Sequence, residues 1–535
     1  MPTHEVRNQP PPLQDYDPLG LDLALAEGLR REGAAWAQAD VSQLGKQAAS
    51  QLMLEAGRLA NENPPKLKTH DRFGHRIDEV EFHPAWHDLL RFSMGHAVHA
   101  GPWREPREGA HVARAAKMML ISQMEYGHGC PISMTYSAYP ALQKEPKLLQ
   151  EWAPRIMSTV YDARFAPAAG KTSALIGMGM TEKQGGSDVR ANTTRAEPQG
   201  QGTYALTGHK WFCSAPMSDA FLVLAQAPQG LSCFLLPRWN GQERNAIQIQ
   251  RLKDKLGNRS NASSEIELQG AMARIIGEEG RGVQTILEMV NHTRLDCVIG
   301  SAAMMRHALL HAVHHARYRM AFGKLLKDQP LMQAVLADLA LESEAATVLM
   351  LRLARAYDRR EAEAPFRRLA TAVAKFWVCK RAAPAVAEAL ECLGGNGYVE
   401  ESGLPRIYRE APLNSIWEGS GNVICLDVLR ALHKEPQARD ALLAEIREAR
   451  GADRRLDVAI DAVEAQLVRP AEAQARTLVE SLALVLQGSL LVRFAPPCVS
   501  DAFCATRLAR DHGFTFGTLP PGLDAAAILA RAVPA

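Results

Sequence analysis

Apolar residues recur at two different spacings along this 535-residue chain. Over residues 21–164 they recur every three or four positions, which predicts helices. Over 171–276 short β-rich runs, such as the apolar stretch 220–225, are separated by Gly, Asn and Pro, which predicts strands. Helical spacing returns over 282–433 and continues, rich in Ala and Leu, over 434–535.

We therefore predict five segments: an extended arm over 1–20, a helical domain over 21–174, a β-domain over 175–277, a helical bundle over 278–433 and a helical extension over 434–535. The order helical, β, helical is that of an α+β protein and differs from the alternation of a βαβ fold. Because the arm is polar and rich in Pro, we expect it to lie extended on a neighbouring subunit.

Composition narrows the class of protein. Hydrophobic residues make up 47% and charged residues 22%, an ordinary globular balance. The net charge of +2 does not call for a nucleic-acid partner, although it leaves room for a local basic patch. The nine cysteines include no Cys-x-x-Cys pair, which favours a reducing cytoplasm over a disulfide frame or a zinc site. We expect no membrane segment, because no apolar run reaches the length of a span.

The string Met-Gly-Met-Thr-Glu-Lys-Gln-Gly-Gly-Ser-Asp at 178–188 carries the clearest chemistry. It follows an apolar strand end and is polar and rich in Gly, which predicts a loop. Thr181 and Ser187 supply hydroxyls, and Gly185 and Gly186 let a ligand approach the backbone without a Cβ in the way. This combination suits a flat, polar heterocycle.

Four further strings stand out. Gly-His-Lys-Trp-Phe-Cys-Ser at 208–214 lies on a predicted strand, where Phe212 and Ser214 share one face. Arg-Met-Ala-Phe-Gly begins at Arg319, on the helix that follows the β-domain. Leu-Gly-Gly-Asn-Gly-Tyr at 393–398 ends a helix that we expect to begin near Pro384, and its backbone N–H groups can cradle an anion. Asn-Ser-Ile-Trp-Glu-Gly-Ser-Gly-Asn occupies 414–422.

Together these strings resemble the motifs of the acyl-CoA dehydrogenases over about residues 50–430. The resemblance implies an N-terminal helical domain, a central β-barrel-like domain and a C-terminal four-helix bundle, here with an additional helical domain. It implies FAD as cofactor, with Phe212 against the isoalloxazine, the Ser214 hydroxyl near its N5, and Arg319 reaching the FAD of a neighbouring subunit. The implied FAD contacts are Met178, Met180, Thr181, Gly185, Gly186, Ser187, Phe212, Cys213, Ser214, Arg319, Phe322, Gly394, Gly395, Asn396, Gly397, Gly419, Ser420, Gly421 and Asn422.

The resemblance also implies a catalytic base. Glu418 stands where the family has the Glu that removes the α-proton of an acyl-CoA. A subgroup keeps its base on another helix, but the corresponding place here is Thr293-Arg294, and neither side chain can serve. Asp296 is close in sequence but points to a different side of that helix. We therefore predict Glu418 as the base, with Arg294 holding it or the substrate. The turn Lys255–Arg259 resembles a family motif whose role is structural.

Three histidines, His307, His311 and His315, fall on one helix face. Such spacing can bind zinc, but three arginines crowd the same helix and neither Cys nor carboxylate stands at ligand spacing. We therefore expect no metal, and a solvated or anion-facing basic helix.

Longer strings and the extension resemble one branch of the family, which belongs to the bacterial adaptive response to DNA alkylation. That branch implies FAD, double-stranded DNA, a homotetramer and weak acyl-CoA dehydrogenase activity. Charge gives only partial support, since ordinary acid–base pairing along helices also explains the arginines of the extension. If they bind phosphates, the candidates are Arg439, Arg447, Arg454, Arg455 and Arg510.

Three alternative functions are consistent with bound FAD. The protein is an acyl-CoA dehydrogenase with Glu418 as base, a DNA-bound flavoprotein that protects DNA from alkylation, or a non-catalytic DNA-binding regulator with structural FAD. The extension favours the second, because a plain dehydrogenase has no evident need for it.

Overall fold

The computed structural model describes residues 3–534. Packing divides the chain into two compact units. We call them the sheet unit, made of Leu52–Pro106 and Met124–Thr293, and the helical unit, made of the residues up to Gln51, Arg107–Gln123 and everything from Arg294 onward.

Helices account for most of the regular structure. They are α1 (Leu23–Arg31), α2 (Gln38–Ala48), α3 (Gln51–Glu62), α4 (Pro84–Gly95), α5 (Gly101–Arg104), α6 (Ala110–Met124), α7 (Gly129–Leu142), α8 (Pro146–Ile156), α9 (Gly282–Tyr318), α10 (Pro330–Asp358), α11 (Ala364–Glu391), α12 (Leu404–Glu410), α13 (Gly421–Lys434), α14 (Pro436–Arg447), α15 (Arg454–Leu467), α16 (Ala475–Phe494), α17 (Pro497–Phe503) and α18 (Ala525–Ala532). A π-helical turn, Cys504–Leu508, follows α17.

The strands are β1 (Lys66–His70), β2 (Arg76–Glu81), β3 (Ile176–Gly179), β4 (Arg195–Gly200), β5 (Thr203–Ser214), β6 (Ala220–Ala227), β7 (Gly230–Pro237), β8 (Trp239–Asn240), β9 (Glu243–Arg244), β10 (Ile247–Leu252), β11 (Ser263–Ile276), β12 (Met320–Ala321) and β13 (Lys324–Leu325). The predicted β-rich runs at 204, 220 and 231 lie on β5, β6 and β7.

A small barrel forms the centre of the sheet unit. β11 pairs with β5 and β7, β5 with β4, and β6 with both β7 and β4, so that five strands close a ring. β10 adds to the ring beside β11, and β3 adds beside β6 in parallel. Phe221, Phe234 and Leu206 fill the interior with no exposed surface. The barrel-like β-domain and the α+β class expected from the sequence are thus confirmed.

A hairpin that the sequence pattern did not reveal interrupts the N-terminal helices. β1 and β2 pair antiparallel, with Leu67 opposite Val80. Only Val80 and Asp78 on β2 are buried, the apolar Leu67 and Ile77 are half-buried, and the other residues of the two strands are polar and at least partly exposed. The apolar signal of this segment is therefore too weak to mark strands.

Long antiparallel helices build the helical unit. α10 and α11 pack against each other, and α11 also packs on α13, α14 and α16. Pro384 lies inside α11, which begins at Ala364, so the predicted helix start near Pro384 is wrong. α9 ends at Tyr318, and Arg319 therefore follows the helix and leads into the β12–β13 hairpin.

The extension is bound to this bundle through buried ion pairs. The Arg507 guanidinium contacts Asp338 and Glu342 on α10, and all three side chains are at most 7% exposed. Arg531 on α18 lies 2.8 Å from both Glu27 and Glu344. These arginines therefore serve internal contacts.

One helix contradicts the expectation that no apolar run reaches the length of a membrane span. Residues 472–494, with a mean hydropathy of 1.4 in the most apolar window, are long and apolar enough by length and composition alone. Within the helical unit this helix packs against α10, α11, α13, α14 and α15, and 67% of the window is buried. Such burial is typical of a core helix.

Candidate active site

The Gly-rich loop follows β3 in the sheet unit and is anchored by one buried residue. Glu182 is fully buried, whereas residues 183–188 are exposed. The Glu182 carboxylate accepts hydrogen bonds from the backbone and hydroxyl groups of Thr193 and Thr194 and from the Lys210 ammonium, at 2.6–3.2 Å. A tight turn joins Glu182 and Gly185 through both of their backbone groups. The loop thus has a fixed base and an accessible polar edge.

Glu182 is ionised in this setting. Burial alone would raise the pKa of its carboxyl, but the Lys210 charge and the hydrogen bonds lower it to about 2. Lys210 is equally buried, and it also donates to the carbonyl of Leu224 at 2.7 Å. Glu182 and Lys210 were not among the predicted site residues. A Lys in the middle of a predicted strand was the available signal, because a buried ammonium requires an acid partner.

A bulge in β5 directs the next group of predicted contacts. Lys210 pairs with Ile266 and Cys213 with Ser264, so β5 has one residue more than β11 in this interval. Lys210 and Cys213 therefore both point inward and are fully buried, whereas Phe212 is 49% exposed. The predicted FAD contact at Cys213 is consequently limited to its backbone. Phe212 and Ser214 lie on the accessible face.

Glu418 occupies a strained turn in the helical unit. Its φ is +60°, a left-handed value that is unusual for a residue other than Gly, and Gly419 follows at +103°. Strain of this kind persists only where the surroundings enforce it, and it is common at functional sites.

Two cations hold that turn by its carbonyl groups. Arg294 donates from Nε to the Glu418 carbonyl at 3.0 Å, and the buried Lys375 ammonium donates to the Gly419 carbonyl. Asp427 accepts from Arg294 at 3.0 Å and balances its charge. Arg294 therefore contacts the main chain of Glu418, which is a more specific role than the sequence could indicate.

The neighbouring residues are also fixed. Trp417 donates from Nε1 to Asn414 at 2.8 Å, and Asn414 donates to Ser301 at 3.2 Å. Asp296 is buried in an ion pair with Arg114, so it is engaged elsewhere, as its position on the helix indicated. Glu418 is thus the carboxylate that the turn presents.

The glycine-rich residues of the helical unit leave backbone accessible. At Gly394 and Gly395 no atom lies within 4 Å of the place a Cβ would occupy, whereas Gly397 is packed against the Leu390 carbonyl. Asn396 is exposed between them. Gly421 begins α13, and Ser420 precedes it as the cap residue. Anions are favoured at such exposed backbone N–H groups.

Asn422 and Arg319 already have partners within the helical unit. Asn422 accepts from Arg476 at 2.9 Å. Arg319 donates to the backbone carbonyl of Asn8 at 2.7 Å, and Asn8 in turn contacts the backbone of Met320. Phe322, at the tip of the β12–β13 hairpin, is 98% exposed. The N-terminal arm thus packs on this hairpin of its own chain.

Each unit, taken by itself, offers groups that suit part of a flavin nucleotide. Phe212 exposes an aromatic face at a strand end, and Ser214 lies beside it with a hydroxyl. In the same sheet unit the open position at Gly185 leaves the backbone accessible to a ligand, and in the helical unit Gly394 and Gly395 do so separately. An aromatic face, hydroxyls and unshielded amides are the groups that bind an isoalloxazine and a pyrophosphate.

The histidine face is packed inside the helical unit, so the expectation of a solvated basic helix is wrong. His307 and His315 are each 4% exposed, and the Nε2 atoms of His307 and His311 lie 3.1 Å apart. Burial lowers the pKa of His307 well below its usual range and that of His311 to about 4. The face is therefore neutral at pH 7.

Most of the arginines predicted to bind DNA have acidic neighbours. Arg439 pairs with Asp440, Arg447 with Glu464, and Arg455 with both Asp453 and Asp501. Arg454 and Arg510 are exposed, and the described part of the chain gives neither of them an acidic partner.

Comparison with known proteins identifies the family. Residues 177–271 match the acyl-CoA dehydrogenase middle domain, and 280–433 match the acyl-CoA dehydrogenase C-terminal domain. The chain belongs to the acyl-CoA dehydrogenase family and is a flavin oxidoreductase of that type with FAD as its cofactor.

Within the family the chain is AidB-like. Residues 8–163 match the N-terminal domain of the adaptive response protein AidB. The chain is 51% identical to the putative acyl-CoA dehydrogenase AidB of Escherichia coli. The match extends over 512 residues, which are 95% of this chain and 94% of the relative. The chain is 34% identical to acyl-CoA dehydrogenase family member 11 of Caenorhabditis elegans, over 77% of this chain and 69% of the relative.

A solved structure is similar over nearly the whole length. Caenorhabditis elegans ACDH-11 in complex with C11-CoA superimposes with a TM-score of 0.86 at 28% identity, covering 99% of this chain and 93% of that one. Butyryl-CoA dehydrogenase from Megasphaera elsdenii, at 20% identity and a TM-score of 0.61, shares the fold.

Proposed function

We propose that this protein oxidises the Cα–Cβ bond of an acyl-CoA, with Glu418 as the base. The observation that carries the proposal is the turn that holds Glu418, because Arg294 and Lys375 bind two successive carbonyls and fix a conformation that costs free energy. The similarity to a structure that binds C11-CoA supports the same substrate class.

Each residue has a separate role in that reaction. The Glu418 carboxylate accepts the proton from the substrate Cα. Bound FAD supplies the hydride acceptor for the Cβ–H. Arg294 and Lys375 set the direction of the Glu418 side chain, and Trp417, held by Asn414, supplies an apolar wall. An apolar surrounding keeps water away from the carboxylate and strengthens it as a base.

Anaerobic titration of the purified yellow protein tests this function. Acyl-CoA esters from isovaleryl to C11 are added while the flavin absorbance is followed. We expect bleaching with at least one ester, and a loss of about 10²-fold or more in its rate in Glu418→Gln. A wild-type flavin that dithionite reduces and no acyl-CoA bleaches would overturn the proposal.

A second candidate function is protection of double-stranded DNA against alkylation, by a cytoplasmic homotetramer with weak dehydrogenase activity. The similarity to AidB over 95% of the chain favours it. Arg454 and Arg510 are the phosphate contacts best supported by the geometry, because they are exposed and have no acidic partner among the described residues. Arg439, Arg447 and Arg455 are less suited, since each would first leave an acid.

Salt-dependent duplex binding tests this second function. Arg454→Ala and Arg510→Ala should each weaken binding and reduce the slope of log K against log salt by about one. Arg447→Ala, paired with Glu464, is the matched control and should change the slope little. Equal effects of all three changes, or no binding by wild type, would contradict it. Light scattering tests whether the protein is a homotetramer. Turnover of an alkylating agent with flavin reduction would indicate a DNA-bound enzyme, and its absence would indicate a non-catalytic regulator.

A further inference from the structure

A chain of hydrogen bonds leads from a lysine to the hydroxyl of Ser214. Lys255 donates from its ammonium to Ser263 Oγ at 2.9 Å, and Ser263 Oγ lies 3.2 Å from Ser214 Oγ. All three residues belong to the sheet unit. Ser263 is 5% exposed and Ser214 is half-buried, so water has little access to the middle of the chain.

Donor counting gives this chain a direction. A Lys ammonium only donates, whereas a hydroxyl has one proton and two acceptor sites. Ser263 therefore accepts from Lys255 and keeps its proton, and the ammonium polarises that hydroxyl into a better donor. The described residues offer the Ser263 hydroxyl proton no acceptor other than Ser214. Ser263 thus donates to Ser214.

The consequence falls on Ser214. Once Ser214 accepts from Ser263, its own proton is directed away from the barrel, and the described residues supply no acceptor for it. Phe212, two residues earlier, exposes its ring on the same strand face. The outward hydroxyl therefore stands beside the aromatic surface that fits the isoalloxazine.

We propose that Lys255 is a positioning residue for flavin reduction, which it promotes by orienting the Ser214 hydroxyl through Ser263. This inference rests on the flavin site of the proposed dehydrogenase, and it gives the Lys255–Arg259 turn a role beyond the structural one expected from sequence. The reduced flavin carries a negative charge that the oxidised ring lacks, so the positive charge that backs the Ser214 hydroxyl favours the reduced form of the cofactor.

The flavin reduction potential of the FAD-loaded protein tests the proposal without any acyl-CoA. Lys255→Met keeps the aliphatic stem and removes the charge. We expect it to shift the ratio of affinities for reduced and oxidised FAD about tenfold toward the oxidised form, or about 30 mV more negative for a two-electron couple. Lys68→Met, a change at an exposed lysine of the same unit, is the matched control and should leave the potential unchanged.

A double-mutant cycle separates the relay from a simple effect of charge. Ser263→Ala breaks the chain, and we expect it alone to lower the potential by a similar amount. In the Ser263→Ala background, Lys255→Met should then produce less than about a third of its original shift. Lys255→Arg should restore most of the wild-type potential.

Several results would overturn the proposal. They are an unchanged potential in both Lys255→Met and Ser263→Ala, an equal Lys255→Met shift in both backgrounds, or an equal shift in Lys68→Met. Since Lys255 also donates to the Asn261 carbonyl at 2.5 Å, flavin content is measured for each variant. Should Lys255→Met fail to retain FAD, Ser263→Ala alone decides. Failure of acyl-CoA to bleach the flavin would leave these potentials unaffected, so the two proposals fail separately.

Discussion

Replacing Lys375 by Met tests how the strained Glu418 turn is held. Lys375 is 1% exposed, and its ammonium donates to the Gly419 carbonyl. A hydrogen bond to a charged group contributes about 1.5–3 kcal/mol. That is comparable with the roughly 1–3 kcal/mol that a left-handed residue such as Glu418 costs. Without Lys375, Arg294 alone would hold the turn.

The loss converts into a rate. At about 1.4 kcal/mol for each factor of ten, 1.5–3 kcal/mol lowers the population of the competent turn by about 10- to 150-fold. We expect the rate constant of flavin bleaching, measured by anaerobic rapid mixing with an acyl-CoA, to fall by that factor while FAD stays bound. Lys434→Met, at an exposed lysine near the end of α13, is the control. A Lys375→Met rate within twofold of wild type would show that Lys375 does not hold the Glu418 turn in its competent conformation.

Three further predictions concern buried charges. Arg507→Met should destabilise the fold by about 3–5 kcal/mol in urea denaturation, because it leaves Asp338 buried without its cation and leaves Glu342 with Arg381 as its remaining cation. Burial alone would raise the pKa of Glu342, but the nearby guanidinium groups lower it from 4.5 to about 2. The contribution of ionised Glu342 to stability is therefore full above pH 4.5 and is lost as the pH falls toward 2. A melting temperature of Glu342→Gln that depends on pH as steeply as that of wild type would contradict this prediction. Glu182→Gln should lower the FAD content, measured as flavin per protomer, and the double variant with Lys210→Met should regain part of that content. An unchanged flavin content in Glu182→Gln would show that Glu182 does not anchor the FAD-binding loop.

The sequence predicted the features that depend on neighbouring residues. Short β-rich runs such as 220–225 were sufficient to predict the barrel strands. These residues are all buried, so the strand carries a continuous apolar signal in the sequence. The loop at 178–188 and the turn at Glu418 were recognisable as strings. Their geometry was not, because the φ of Glu418 depends on Arg294 and Lys375, which lie on other helices.

Charge partners distant in sequence explain the remaining differences. Arg507 contacts acids about 165 positions earlier, and Arg455 pairs with Asp501. No local pattern separates such arginines from solvated ones, so a list of basic residues overstates the surface available to DNA. The burial of His307 and His315 could not be predicted either. Helix spacing places these residues on one face, but it does not show whether solvent or another helix lies against that face.

The proposed function requires Glu418 to remove the α-proton of an acyl-CoA while the flavin is reduced. The most direct measurement is the rate of anaerobic flavin bleaching with an acyl-CoA carrying deuterium at Cα, in wild type and Glu418→Gln. We predict bleaching in wild type that deuterium slows, and a loss of about 10²–10⁴-fold in the variant. Bleaching at the same rate in both proteins would show that Glu418 is not the base, and no bleaching of wild type with any ester would show that acyl-CoA is not the substrate.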